Sequence, residues 1–114
     1  MDFTYSIQDD IIIIIPDGQN LDAKAAPQFK EKVTQLLAEQ PIKNGVIDLR
    51  ALQFVDSSGL GAFLSALRTL HQKGGELKLA HVNPPVAAIF ELVSMNKIFE
   101  VFPTTDEAVL SFRE

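Results

Sequence analysis

Apolar and polar residues alternate at the start of the chain, where Phe3, Tyr5 and Ile7 are interleaved with Thr4, Ser6 and Gln8. A period of two belongs to a β-strand with one face on a core and the other in water, and here it predicts an edge strand. Asp9-Asp10 supplies turn chemistry. Ile11 to Ile15 then runs without alternation, as expected of an interior strand covered on both faces. From Phe29 the period lengthens. Phe29, Val33, Leu36 and Leu37 form one helical stripe ending near Glu39, with Lys30, Glu31, Lys32 and Gln35 outside it. Asp22 is an N-cap candidate, but Pro27 would then lie past the first turn, so regular helix is expected to begin between Ala25 and Pro27.

Gly45 to Leu49 reads as a third strand, and Leu60, Phe63, Leu64, Leu67 and Leu70 as the stripe of a second helix ending before Gly74-Gly75. Glu76 to Val82 is expected to be a fourth strand. Asn83 followed by Pro84 marks a cap and a first-turn proline, opening a third helix with Val86, Ile89, Phe90 and Val93 inward. Ile98 to Phe102 is a fifth strand. Thr104 and Glu107 have capping-box spacing before a last helix that buries Ala108, Val109 and Phe112. The order β-β-α-β-α-β-α-β-α predicts an α/β fold, a mixed and mostly parallel sheet of about five strands with about four helices. All 114 residues fit one domain.

A composition of 46% hydrophobic and 22% charged residues is that of a chain able to bury a core. The net charge of −5 repels nucleic-acid backbones and anionic lipids, so neither direct nucleic-acid binding nor membrane insertion is expected. Ile11 to Ile15 is far too short to span a bilayer, and Met1-Asp2-Phe3 opens no basic-then-apolar secretion pattern, so a cytoplasmic protein is expected. Without cysteine there is no disulfide, thiolate catalysis or cysteine-based zinc site. Asp9, Asp10, Asp22, Asp48 and Asp56 are scattered, and His71 and His81 stand alone, so no metal site and no cofactor is expected.

Chemistry concentrates in Phe54-Val55-Asp56-Ser57-Ser58-Gly59-Leu60-Gly61, between the third strand and the second helix. Ser57 or Ser58 is expected to cap that helix, whose first turn offers free N–H groups and a partial positive charge to an anion on either hydroxyl. Gly59 and Gly61 keep the turn free of bulk, so another protein's active site could approach. Dinucleotide binding fails because Leu64 stands where the third glycine of the fingerprint belongs, and no Gly-Lys-Ser/Thr phosphate loop is present. Residues 55 to 59 are not Gly-x-Ser-x-Gly, and neither histidine has an identifiable orienting partner, which disfavours a serine hydrolase. His71 reads as an ordinary helix-end residue and His81 as a half-buried strand residue alternating with Leu77 and Leu79.

Val-Asp-Ser-Ser-Gly-Leu-Gly at 55 to 61 resembles the signature of the STAS domain, specifically that of bacterial anti-sigma-factor antagonists. Gly18 with Leu21-Asp22, and Phe90-Glu91-Leu92 with Lys97 to Phe102, resemble further family motifs. The likeness spans nearly the whole chain. It implies that Ser57 accepts phosphate and that Asp22, Asp56, Ser58, Gly59, Leu60 and Gly61 belong to a partner-binding face. It further implies a non-enzymatic switch. An anti-sigma factor that is also a serine kinase phosphorylates the antagonist, a serine phosphatase reverses this, and the unphosphorylated form sequesters the kinase and frees the sigma factor. A STAS subunit of a transport or stress-signalling assembly, working without a serine cycle, is the alternative. The chain departs from the pattern in two places. It has one extra residue between Gly18 and Asp22, and it has Ser94-Met95 where relatives have Gly-Leu, which predicts a serine in a left-handed helix cap.

Overall fold

The computed structural model describes residues 1–113. Phe3–Gln8 (β1) and Ile11–Pro16 (β2) form an antiparallel hairpin. Asp9 and Asp10, with φ of 54° and 62°, make its two-residue turn, and aspartate is among the few residues that tolerate this left-handed geometry. Asn44–Asp48 (β4), Leu77–Ala80 (β6) and Val101–Phe102 (β7) continue the sheet in parallel, giving the order β1-β2-β4-β6-β7. Asn20–Leu21 (β3) and Phe54–Val55 (β5) pair separately as a short parallel ladder. Ala26–Glu39 (α1), Ser57–Gln72 (α2) and Pro84–Leu92 (α3) pack on one face, and Thr105–Ser111 (α4) on the other. Among the described residues, the expected α/β architecture of a mixed five-stranded sheet with four helices is therefore observed, and the β3–β5 ladder is an addition to it.

The isoleucine run behaves as its lack of alternation demands. Ile12 and Ile14 enter the core beneath α1–α3, whereas Ile11 and Ile13 face α4. On the larger side, Phe3, Phe29, Phe63 and Phe90 form a chain of edge-to-face ring contacts with centroids 5.9, 6.2 and 6.5 Å apart, a geometry favoured by the ring quadrupoles. Lys73, just after α2, donates from Nζ to the carbonyls of Leu37, Gln40 and Ile42 and so closes the C-terminal end of α1.

Several local expectations are corrected. In β1 only Phe3 reaches the core. Tyr5 and Ile7 are about half exposed, because β1 is the sheet's outer strand and only its Phe3 end meets α1. The fourth strand stops at Ala80, and His81 lies in a left-handed turn at φ 55° rather than alternating within the strand. Asn83 stands at the N-cap of α3 without capping it. Its amide instead donates to the carbonyls of Arg50 and Leu52, tying down the loop after β4. Val93 falls beyond α3 and is half exposed. Ser94 does adopt the left-handed cap, at φ 61°, and a 3-10 turn over Met95–Lys97 shortens the fifth strand to Val101–Phe102.

The helix α4 has seven residues, too few to be stable alone, and buried charges hold both its ends. At the start, Thr105 Oγ1 donates to Asp48 Oδ2 (2.9 Å); at the finish, the buried Lys78 ammonium donates to Ser111 Oγ (2.8 Å) and lies 4.2 Å from the Phe112 ring centroid. Burial pushes the Asp48 pKa up. Hydrogen bonds from the Arg50 side chain and backbone and from Thr105 outweigh that effect, and the carboxyl is held below the ordinary aspartate value. Because the folded-state pKa is the lower one, Asp48 contributes stability above the unfolded value, and that contribution fades as pH falls below about 4. Asp48→Asn should therefore cost about 1–3 kcal/mol at neutral pH, and the gap from wild type should shrink in chemical denaturation at pH 3. A gap independent of pH would refute the assignment.

Candidate functional site

The start of α2 is positioned by two strands too short for any periodicity. Leu21 pairs with Val55 across β3 and β5, Gln19 O accepts from Gln53 and Phe54 N–H, and Asp56 N–H donates to Leu21 O (3.3 Å). The chain thus leaves β5 directly beside the turn that precedes α1. Asn20 and Leu21, two of the three residues between Gly18 and Asp22, form β3 here.

Asp56 caps α2, and neither serine does. Its backbone is extended, with φ −105° and ψ −172°, and its Oδ1 accepts from Ser58 N–H (2.9 Å) and Gly59 N–H (3.1 Å). Oδ2 accepts from Ala23 N–H (3.0 Å) in the neighbouring turn. The expectation of a serine cap fails because the N-cap position falls one residue earlier, where a charged acceptor satisfies the same donors. Both Ser57 and Ser58 are exposed. Among the described residues no side chain hydrogen-bonds the Ser57 hydroxyl. Asp22 organises the opposite turn, its Oδ1 accepting from Lys24 and Ala25 N–H (3.1 Å each), and α1 begins at Ala26 as the proline argument required.

The remaining segment residues separate into two kinds. Gly59 is buried, and a Cβ there would lie 2.4 Å from Leu21 O and 2.5 Å from a Val55 methyl. Its missing side chain lets α2 approach the β3–β5 ladder, so it serves packing where open access was expected. Leu60 is likewise in the core, with 8% of its surface exposed. Of the two glycines, Gly61 fits the open-approach expectation: outside its chain neighbours and its own helix backbone, no atom of the described residues stands within 4 Å of its Cβ position. Two neighbours carry no site role in the sequence reading, although Phe54 opens the segment it marks. Phe54, on β5, is half exposed beside the site, and Lys30 joins Ala26, Pro27 and Ser58 around an open hollow of about 240 Å³. The helical stripe that placed Lys30 on the outer face of α1 was the available signal.

Neither histidine serves the serines. His71 is exposed at the far end of α2, and His81 Nε2 lies 3.9 Å from Asp48 Oδ2. Among the described residues no group of three or more acidic or histidine side chains could hold a metal, and no helix is long and apolar enough to cross a membrane.

The STAS domain profile matches residues 2–108. The chain belongs to the STAS domain family. It is 31% identical over 103 residues to the anti-sigma F factor antagonist of Paenibacillus polymyxa, a match covering 90% of this chain and 86% of that protein. A crystal structure from Thermotoga maritima superposes with a TM-score of 0.90 at 26% identity, over 98% and 95% of the two chains. The anti-sigma factor antagonist SpoIIAA shares the fold at 21% identity. Its unphosphorylated form gives a TM-score of 0.70, over 96% of each chain, and its phosphorylated Bacillus form gives 0.71, over 97% and 99%. The resemblance read from the Asp-Ser-Ser-Gly segment is thus borne out at the level of family and fold.

The cap geometry separates neighbouring residues by function. Asp56→Ala should lower stability by about 1–2 kcal/mol, Gly59→Ala by about 1–3 kcal/mol through overpacking, and Ser57→Ala by less than about 0.5 kcal/mol. Urea denaturation of the three variants measures this order, and a Ser57→Ala loss equal to that of Asp56→Ala would mean that the serine is the cap.

Proposed function

We propose that this STAS protein is an anti-sigma-factor antagonist switched by phosphorylation of Ser57, a binding protein rather than an enzyme. In its unphosphorylated form it binds an anti-sigma factor that is also a serine kinase, and so frees the sigma factor. Transfer of phosphate from ATP to the Ser57 hydroxyl ends that association, and a serine phosphatase restores it. The observation that carries this reading is the division of labour at the start of α2. Asp56 takes the cap, so the exposed Ser57 hydroxyl makes no hydrogen bond among the described residues and can be modified without dismantling the helix. Relatives named as antagonists support the partner class, and SpoIIAA, solved both with and without phosphate, supports the covalent switch.

The partner-facing surface comprises Ser57, Ser58 and Gly61 with Asp22 and Asp56 beneath, while Gly59 and Leu60 shape it from below. Phosphate adds about −1.5 to −2 charges next to Asp56 on a chain already at −5. Against a kinase surface fitted to a neutral hydroxyl, that charge is desolvated without a partner, at a cost of several kcal/mol. Each 1.4 kcal/mol is about tenfold in affinity.

Ser57→Ala should abolish phosphate incorporation by the cognate kinase and ATP while leaving the circular dichroism spectrum unchanged, as read by intact-protein mass. Incorporation that survives in Ser57→Ala and disappears in Ser58→Ala would move the acceptor by one residue. Ser57→Asp should weaken kinase binding by about tenfold or more in calorimetry. Equal affinity would remove charge as the gate.

A further inference from the structure

The two edges of the sheet differ in a way the antagonist reading does not use. The β7 edge is two residues long, a length that offers little to an incoming strand. The β1 edge runs for six residues, Phe-Thr-Tyr-Ser-Ile-Gln, without charge or proline and in unbroken register with β2. Edges of soluble proteins are ordinarily blunted by lysine, proline or a bulge, and β1 has none of these.

The hairpin fixes which backbone groups are free. A two-residue turn makes Gln8 and Ile11 the closing hydrogen-bonded pair, so Ser6 and Thr4 also bond to β2, and Asp17 N–H to Asp2 O (3.1 Å) continues the series. The N–H and C=O groups of Phe3, Tyr5 and Ile7 therefore point outward. The same three residues carry the apolar side chains, all on the α1 side of the sheet, with Tyr5 and Ile7 about half exposed.

We propose that β1 is a self-pairing edge through which two copies of this chain join as an antiparallel dimer, with a continuous ten-stranded sheet. Antiparallel pairing about a two-fold axis at Tyr5 sets Phe3 opposite Ile7 of the second copy, Tyr5 opposite Tyr5, and Ile7 opposite Phe3. Every outward backbone group then finds a partner, and every facing side-chain pair is apolar. On the opposite face Thr4 meets Ser6, and Asp2 meets uncharged Gln8, so no like charges oppose one another along the strand. A two-fold at Ser6 would instead set Phe3 against Asp9, which lies in the left-handed turn and outside the strand. This self-complementarity favours a second copy over a foreign strand. β2 separates the edge from β4, so the dimer leaves the start of α2 open.

Sedimentation equilibrium of the full chain at concentrations up to roughly 1 mM should show the mass rising from one 12.6 kDa chain toward two. The rise should be steeper at higher salt, because each copy carries −5. Tyr5→Pro removes an outward N–H that β2 does not use, and Ile7→Lys places a charge in the seam. Each should return the protein to monomer with its circular dichroism spectrum intact, and Ile7→Lys keeps the test valid if the proline variant fails to fold. The chain has no cysteine, so single cysteines report the register. In a hydrogen-bonded antiparallel pair, Cα atoms lie about 5.5 Å apart, within disulfide range. Tyr5→Cys should oxidise to a covalent dimer faster than Ser6→Cys or Thr4→Cys. A mass fixed at 12.6 kDa throughout, or a dimer indifferent to Tyr5→Pro and Ile7→Lys, overturns the proposal. Faster closure through Ser6→Cys overturns the register, and a monomer whose Phe3–Ile7 amides respond only to another protein's peptide assigns the edge to that protein.

Discussion

The carboxylate of Asp56 accepts three backbone N–H groups from two separate turns, and the rest of the site depends on that arrangement. Two of the donors belong to the first turn of α2 and the third, on Ala23, to the approach to α1. One side chain therefore caps a helix and locks two loops together. A serine hydroxyl is a single oxygen and cannot face both turns at once; a carboxylate presents two oxygens, here Oδ1 toward the first turn of α2 and Oδ2 toward Ala23 N–H, at the positive end of the helix. Serine is a good N-cap in general, and two serines follow immediately. They stay out of the cap because the β3–β5 ladder delivers Asp56, in extended conformation, to the position where the helix begins. Gly59 completes the arrangement by letting α2 sit against Leu21 O at a separation that a Cβ would forbid.

What was legible in the sequence was what packing alone decides. The uniform isoleucine run of β2 and the stripes of α1 and α2 reflect burial on a face, and burial leaves a period. The alternation in β1 has the same form, yet Tyr5 and Ile7 are exposed, because a period shows which side chains share a face and not whether anything covers that face. β3 and β5 left no trace, since two residues cannot display a period of two. The serine cap was a mistaken expectation of another sort. Sequence marked the right segment for capping, but the choice among Asp56, Ser57 and Ser58 turned on a boundary of one residue that only the ladder fixes. Ser94 was the opposite case: the missing glycine foretold a left-handed residue, and its φ of 61° is what the turn requires.

Asp48 and Lys78 show how the sheet uses charge where its apolar cover is thin. Both are buried on the α4 side, one near the first residue of that helix and the other near its last. The apolar contribution there comes mainly from Ile11, Ile13, Val46, Ala80, Ala108 and Val109, a much smaller cluster than the one beneath α1–α3. A seven-residue helix over so small a core could slide or fray. Two hydrogen bonds to fixed, buried charges give it a defined place, and Arg50, Ser111 and the Phe112 ring keep those charges from being stranded. Neither role was visible from sequence, because each depends on which residue of α4 arrives at the strand end.

The same accounting of donors determines how a phosphate on Ser57 would act. In the first turn of α2, the Ser58 and Gly59 N–H groups are held by the Asp56 side chain, and the Leu60 N–H by its carbonyl. The helix terminus therefore has few free donors with which to draw a phosphate inward, and the neighbouring carboxylate repels it. The modification cannot take over the cap without displacing Asp56, and displacing Asp56 would also release Ala23 and the turn before α1. On the proposed reading, the new charge would consequently be expressed outward, toward a partner docking on the exposed turn. A switch built this way requires only one conformation of the scaffold, since the change in binding free energy resides in what the partner must desolvate and not in a second state of this chain.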